Sequence, residues 1–190
     1  MRAAPIVIVS GLPRSGTSMA MRMLVAGGIP ALTDGIRSAD ADNPHGYFEF
    51  ERVKQLKTDR AWLDDAVGHA VKVIHMLLPD LPADREYRIV FMERDLREVV
   101  RSQDVMLQRA GKRGGALPPE RLIAMYTAQL AQIDRELASR PLTHVLRVPH
   151  RQLVTDPMPE VRKINEFLGG GLNESAMAAA VDPSLHRNRA

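Results

Sequence analysis

A chain of 190 residues, 45% hydrophobic and 26% charged, has the length of one domain and enough apolar side chains to bury a core. Its 26 Lys and Arg against 23 Asp and Glu leave a net charge of only +3, which excludes a polybasic binder. Aromatics at 4%, not interleaved with basic runs, argue against stacking on nucleic acid bases, and the lack of cysteine excludes disulfides, a thiol nucleophile and thiolate-bound zinc.

The apolar run after Met1 is about six residues, too short for a signal sequence or a membrane span. The chain is therefore read as a cytoplasmic domain over residues 1–190, which fits the missing cysteines. Pro5 to Val9 is β-branched and continuously apolar, as in a strand buried on both faces. Gly11 to Ser18, GLPRSGTS, is a glycine-rich turn, and Ser18 to Ala26 is an apolar helix ended by Gly27-Gly28. Residues 30 to 69 are polar and turn-rich, becoming helix-like from about Phe50. Ala70 to Ile74 and Tyr87 to Met92 are further strands.

Asp95 is a good N-cap for the next helix, with Glu98 placed to reach back to it. Leu96, Val99, Val100, Met106 and Leu107 give that helix its apolar face. Gly111 to Pro119 is a flexible connection. A long helix follows, with Leu122, Ile123, Tyr126, Leu130, Ile133 and Leu137 on one stripe. His144 to Val148 is the fourth strand, and Asp156-Pro157 opens a last helix stopped by Gly169 to Gly171. Alternating strands and helices predict an α/β domain: three layers, α/β/α, around a parallel sheet of about four strands. The expected strand order is 2-3-1-4, with the strand before Arg94 beside the loop strand.

Strand, glycine-rich turn and helix together make a phosphate loop credible, because turn amides and the helix N-terminus point at an anion. Arg14 supplies charge, Thr17 and Ser18 supply hydroxyls, and a guanidinium fork matches phosphate or sulfate oxygens. An ATP loop, G-x-x-x-x-G-K-[ST], has lysine after its second glycine, where this chain has Thr17. The missing lysine points to a ligand without a γ-phosphate.

At this point the chain resembles the PAPS-dependent sulfotransferases, whose 5′-phosphosulfate loop reads P-[KR]-S-G-T-[ST]. The arginine form is similar to the tyrosylprotein and bacterial branches. VFMERDLREVVRSQDVML, Val90 to Leu107, resembles the family's 3′-phosphate block, in which an Arg at a strand end and a Ser eight residues later hold the 3′-phosphate. Here they are Arg94 and Ser102. RVPHRQLVTDPMPEVRKINEFLG resembles the late structural segment. Leu96 departs from the family's proline, and Val148-Pro149-His150 from its aromatic-acid pair. The terminal R-K-G cofactor loop has no clear counterpart beyond Arg187 or Arg189.

The resemblance implies a P-loop-NTPase-like fold and metal-independent sulfuryl transfer from PAPS (3′-phosphoadenylyl sulfate) to a hydroxyl or amine, leaving PAP. Arg14, Ser15, Gly16, Thr17, Ser18, Arg94 and Ser102 would bind the cofactor, with Arg14 also neutralising the leaving phosphate. The six histidines show no HxH or HExxH metal spacing. A small-molecule or carbohydrate acceptor is expected, with neither nucleic acid nor membrane insertion. The proton acceptor is open among His75, ranked first, Asp34 and Glu49. His75 ends the second strand in VKVIHMLLP, which resembles the K-T-H-L-P stretch of cytosolic sulfotransferases with Lys72 as its lysine and one extra residue between. Lys72 either reaches the cofactor or snorkels to the surface. Two other readings stand: a P-loop nucleotide or small-molecule kinase using Glu93 or Asp95, and an inactive nucleotide- or partner-binding P-loop domain.

Overall fold

The computed structural model describes residues 4–36, 46–109, 111 and 117–182. Four parallel strands form the sheet: β1 (Ile6–Gly11), β2 (Ala70–Lys72), β3 (Tyr87–Glu93) and β4 (Thr143–Pro149). Helices α1 (Thr17–Gly27), α2 (Leu96–Arg109), α3 (Pro119–Ala138), α4 (His150–Thr155), α5 (Pro157–Leu168) and α6 (Glu174–Ala179) complete the layers.

Strand alternation sorts the core. Val7 and Val9 of β1, with Val90 and Met92 of β3, pack under α1, α5 and α6. Ile6, Ile8, Tyr87, Ile89 and Phe91 point the other way, onto Ile133 and Leu137 of α3 and onto Trp62 and Leu63. Each fully buried Val, Ile or Phe contributes about 1.5–3 kcal/mol, so two faces of continuous apolar strand dominate stability. Of the α3 stripe, only Ile133 and Leu137 are fully buried; Leu122, Ile123, Tyr126 and Leu130 are half-buried.

The order is β2-β1-β3-β4, not 2-3-1-4: β1 and β3 exchange places, while the Arg94 strand still borders the loop strand. Both central strands are equally apolar runs, so composition cannot rank them. The β1–β2 pairing, Val7 to Val9 with Ala70 to Lys72, fixes the order, and Pro30 to Leu32 runs along the outer edge of β2. There Ala70 N–H donates to the Pro30 carbonyl (2.8 Å), and Leu32 N–H to the Ala70 carbonyl (2.9 Å). The exchange matters for the site, since it sets Lys72 of β2 in register with Val9 of the loop strand.

Two local expectations change. The helix-like stretch from Phe50 becomes two 3₁₀ segments, Glu51–Gln55 and Ala61–Leu63. Buried Val53, Leu56 and Trp62 recur at multiples of three, the spacing that a 3₁₀ turn eclipses. At α2, Asp95 caps as expected, its Oδ1 accepting from the N–H of Arg97 (2.8 Å) and Glu98 (3.2 Å). Glu98 does not reach back to it; its Oε2 accepts from Arg94 Nε at 2.8 Å, a stronger charged bond.

Candidate active site

The registers bring four segments to one end of the sheet. Gly11 pairs with Met92, so Arg94 follows two residues later beside the loop. Glu93 pairs with Pro149, so His150 opens α4 on the other side of the Arg94 strand. Crevices at the carboxyl ends of strands are where open α/β sheets bind ligands.

The loop itself is a tight cradle. Gly16 caps α1 with φ 103°, and a Cβ there would stand 2.7 Å from Cδ2 of His150. A Cβ on Gly11 would stand 2.4 Å from Ser15 Oγ and 2.8 Å from the Met92 carbonyl oxygen. Both positions therefore require glycine, for conformation and for space. Arg14 takes a left-handed φ of 74°, at a cost of about 1–2 kcal/mol for a non-glycine residue. Its surroundings hold it there. Ser15 N–H donates to the Leu12 carbonyl at 3.0 Å, and Arg94 Nη1 donates to the Arg14 carbonyl at 3.1 Å.

The residues expected around an anion converge. Arg14 Nε donates to Ser102 Oγ at 3.1 Å, so the loop arginine touches the helix serine of the second block. Ser102 is 2% exposed, and the Arg94 side chain 7%. Thr17 is buried and Ser18 half-buried at the start of α1. Ser15 Oγ is buried with no hydrogen-bond partner among the described residues. Lys72 turns inward: Nζ donates to the Tyr47 carbonyl (3.0 Å) and to Ser18 Oγ (3.4 Å), and stands 3.7 Å from Glu49. A lysine from the neighbouring strand thus stands over the first turn of α1.

The three candidate proton acceptors occupy different surroundings. Asp34 is exposed, and its carboxylate accepts from the N–H of Glu51 (2.6 Å) and Ile36 (3.1 Å). The Glu51 amide above all holds its carboxyl below the usual range. His75 is 1% exposed at the start of a 3₁₀ segment (His75–Asp80), with Nε2 3.3 Å from Gln129 Oε1 of α3. Burial, above all, lowers its pKa, against the opposing pull of Gln129 and then of the Gly11 backbone. Glu49 lies beside Lys72 with its side chain 25% exposed. Arg187 and Arg189 lie outside the described residues.

Sequence reasoning missed the contact of His150 with Gly16. Its only sequence signal was the place of His150 just past a strand end. Among the described residues no group of three His, Asp or Glu is placed to hold a metal ion, and no helix is long and apolar enough to cross a membrane.

A glycine-rich turn between a central parallel strand and a helix, with Arg14, Lys72 and Arg94 around it, defines a P-loop-like α/β domain. Residues 47–174 match the sulfotransferase family, a stretch that covers the Arg94–Ser102 block and begins after the loop. No curated protein sequence matches the chain. Among solved structures, the sulfotransferase domain of the Synechococcus PCC 7002 olefin synthase aligns with a TM-score of 0.54 at 15% identity, over 97% of this chain and 86% of that one. The sulfotransferase from Alicyclobacillus acidocaldarius gives 0.53 at 19%, over 91% and 85%. Mouse sulfotransferase SULT7A1 complexed with PAP gives 0.54 at 16%, over 92% and 62%. At these identities the structures establish the fold, and the family match, over more than half of the chain, establishes membership. The chain belongs to the sulfotransferase family.

Proposed function

We propose that the protein is a PAPS-dependent sulfotransferase. The side chain of Arg14, in the 5′-phosphosulfate-type loop, is hydrogen-bonded to Ser102, in the 3′-phosphate-type block, at 3.1 Å. Two anion-binding elements in direct contact suit a nucleotide with phosphates at both ends of its ribose better than a triphosphate chain. The residues fit that ligand on structural grounds: two glycines that shape a cradle and a cluster of cations around it. PAP in the mouse sulfotransferase of the same fold supports the choice.

In this reading the α1 amides, Thr17 and Ser18 hold the 5′-phosphate, and Arg94 with Ser102 holds the 3′-phosphate. Bound PAPS supplies a sulfuryl group that passes from a 5′-phosphate oxygen to the acceptor oxygen, leaving PAP and one proton. Arg14 and Lys72 neutralise charge that develops on the leaving oxygen, with geometry set before reaction. Glu49 takes the acceptor proton. It is the candidate that combines partial exposure with a place beside Lys72 and so near Ser18. His75 is enclosed and faces α3, and Asp34 clasps backbone amides, which weakens it as a base.

The acceptor fits a small apolar hydroxyl compound better than a carbohydrate. Past Lys72, the chain exposes Ile74 (40%) and Met76 (59%), and α3 exposes Met125 (37%) one turn from Gln129. Among the described residues, His75 Nε2 is engaged with Gln129 and Tyr126 with Gln103, which leaves this apolar stretch less suited to sugar hydroxyls. The test is PAP release from PAPS, measured with aliphatic or phenolic alcohols and with simple sugars. Acceptor-dependent PAP formation is expected with the alcohols. Tight PAP binding without turnover on any acceptor would leave an inactive nucleotide-binding domain as the better account.

A further inference from the structure

The loop is gripped from a side that anion binding does not explain. Ser102 and Gln103 are consecutive on α2, and both turn to the loop. Ser102 takes the Arg14 side chain, while Gln103 Nε2 donates to the Pro13 carbonyl at 3.0 Å. Gln103 is oriented in turn by α3, where Tyr126 Oη donates to Gln103 Oε1 at 2.8 Å. The order of donors fixes the amide, because a carbonyl can only accept and so must face the Gln103 NH₂ group. Tyr126 also packs edge-on against His75, ring centroids 6.4 Å apart, one turn from the Gln129 that bonds His75.

We infer that Tyr126 and Gln103 form a positioning relay, through which α3 sets the conformation of the cofactor loop at Pro13–Arg14. The inference rests on the sulfotransferase reading only for its ligand. A trans peptide holds its C=O and N–H on opposite sides, so a hydrogen bond that fixes the Pro13 carbonyl also fixes the direction of the Arg14 N–H. The Arg14 carbonyl is pinned by Arg94 in the same way. Together these bonds hold a non-glycine residue at φ 74°, a conformation that persists only where the surroundings over-determine it. The helix that bears the relay also presents Met125, so the acceptor wall and the donor loop share one support. Neither Tyr126 nor Gln103 needs to touch the cofactor; they act through the backbone of Pro13 and Arg14.

The experiment uses Gln103→Met, which keeps length and loses the amide, Tyr126→Phe, which keeps the ring, and the double variant. PAP affinity should fall about 5- to 20-fold in Gln103→Met and about 3- to 10-fold in Tyr126→Phe, with little change in Tm. The double variant should be no weaker than Gln103→Met, because the tyrosine acts only through Gln103. Independently of any nucleotide, amide exchange in a peptide covering residues 12–16 should accelerate at least about five-fold in Gln103→Met, as expected for a loop released from one restraint. Unchanged exchange there, or additive losses of affinity, would overturn the relay. Absence of PAP binding in the unmodified protein would overturn the choice of cofactor, while the exchange measurement still decides the relay.

Discussion

Replacing Arg94 by Met should weaken PAP binding about 10- to 100-fold, the worth of charge-assisted hydrogen bonds to one phosphate. The same change should also cost some stability, because the largely buried Glu98 carboxylate loses its 2.8 Å bond from Arg94. The two losses have separate origins and can be pulled apart. Arg94→Met combined with Glu98→Gln removes the carboxylate charge that Arg94 had offset and should regain part of the stability. It should regain none of the affinity. Thermal unfolding and PAP titration on the three proteins check this. If affinity returns along with stability, Arg94 is a structural partner of Glu98 and does not bind phosphate.

The second large effect is expected at Glu49. Glu49→Gln should lower kcat by about 10²- to 10⁴-fold, the usual worth of a general base, while the Kd for PAP stays within about two-fold. The amide keeps the shape of the carboxylate and cannot accept the proton. His75→Asn should leave kcat within about ten-fold, because its Nε2 faces Gln129 rather than the Lys72–Ser18 cluster. The reverse ranking, with His75→Asn inactive and Glu49→Gln near normal, would return the role to the histidine.

Which parts of this were legible in the sequence follows from the range of each interaction. The four strands were readable because β-branched runs such as IVIV and YRIVFM need burial on both faces. The loop was readable because its glycines answer to local backbone geometry. The Asp95 cap was readable for the same reason. Strand order was not, because Ile6–Gly11 and Tyr87–Glu93 are both largely apolar and nothing local says which of them pairs with Ala70–Lys72.

The site shows the same division. The family resemblance singles out Arg94 and Ser102, and both meet Arg14 in the structure, but Glu98, expected at its near neighbour Asp95, pairs instead with the stronger charged partner Arg94. Lys72 stood undecided between cofactor and surface until the register with Val9 turned it toward Ser18. His75 was ranked first on its place at a strand end. The extra residue after Lys72 accounts for the direction His75 takes in the structure, toward Gln129. Side chains alternate along a strand, so Ile74 rather than His75 falls on the side of Lys72. His150 against Gly16, and Gln103 on the Pro13 carbonyl, are contacts between residues far apart in the chain, for which spacing carries no information.

In the proposed function this loop, with its charge supplied by Arg14 and Lys72, holds a nucleotide bearing 5′- and 3′-phosphates. Equilibrium titration of the protein with PAP and with ATP, each with and without Mg²⁺, tests it most directly. PAP is expected to bind without metal and at least about ten-fold more tightly than ATP, about 1.4 kcal/mol of discrimination. Preference for ATP that depends on Mg²⁺ would contradict the account and place the loop with the kinases.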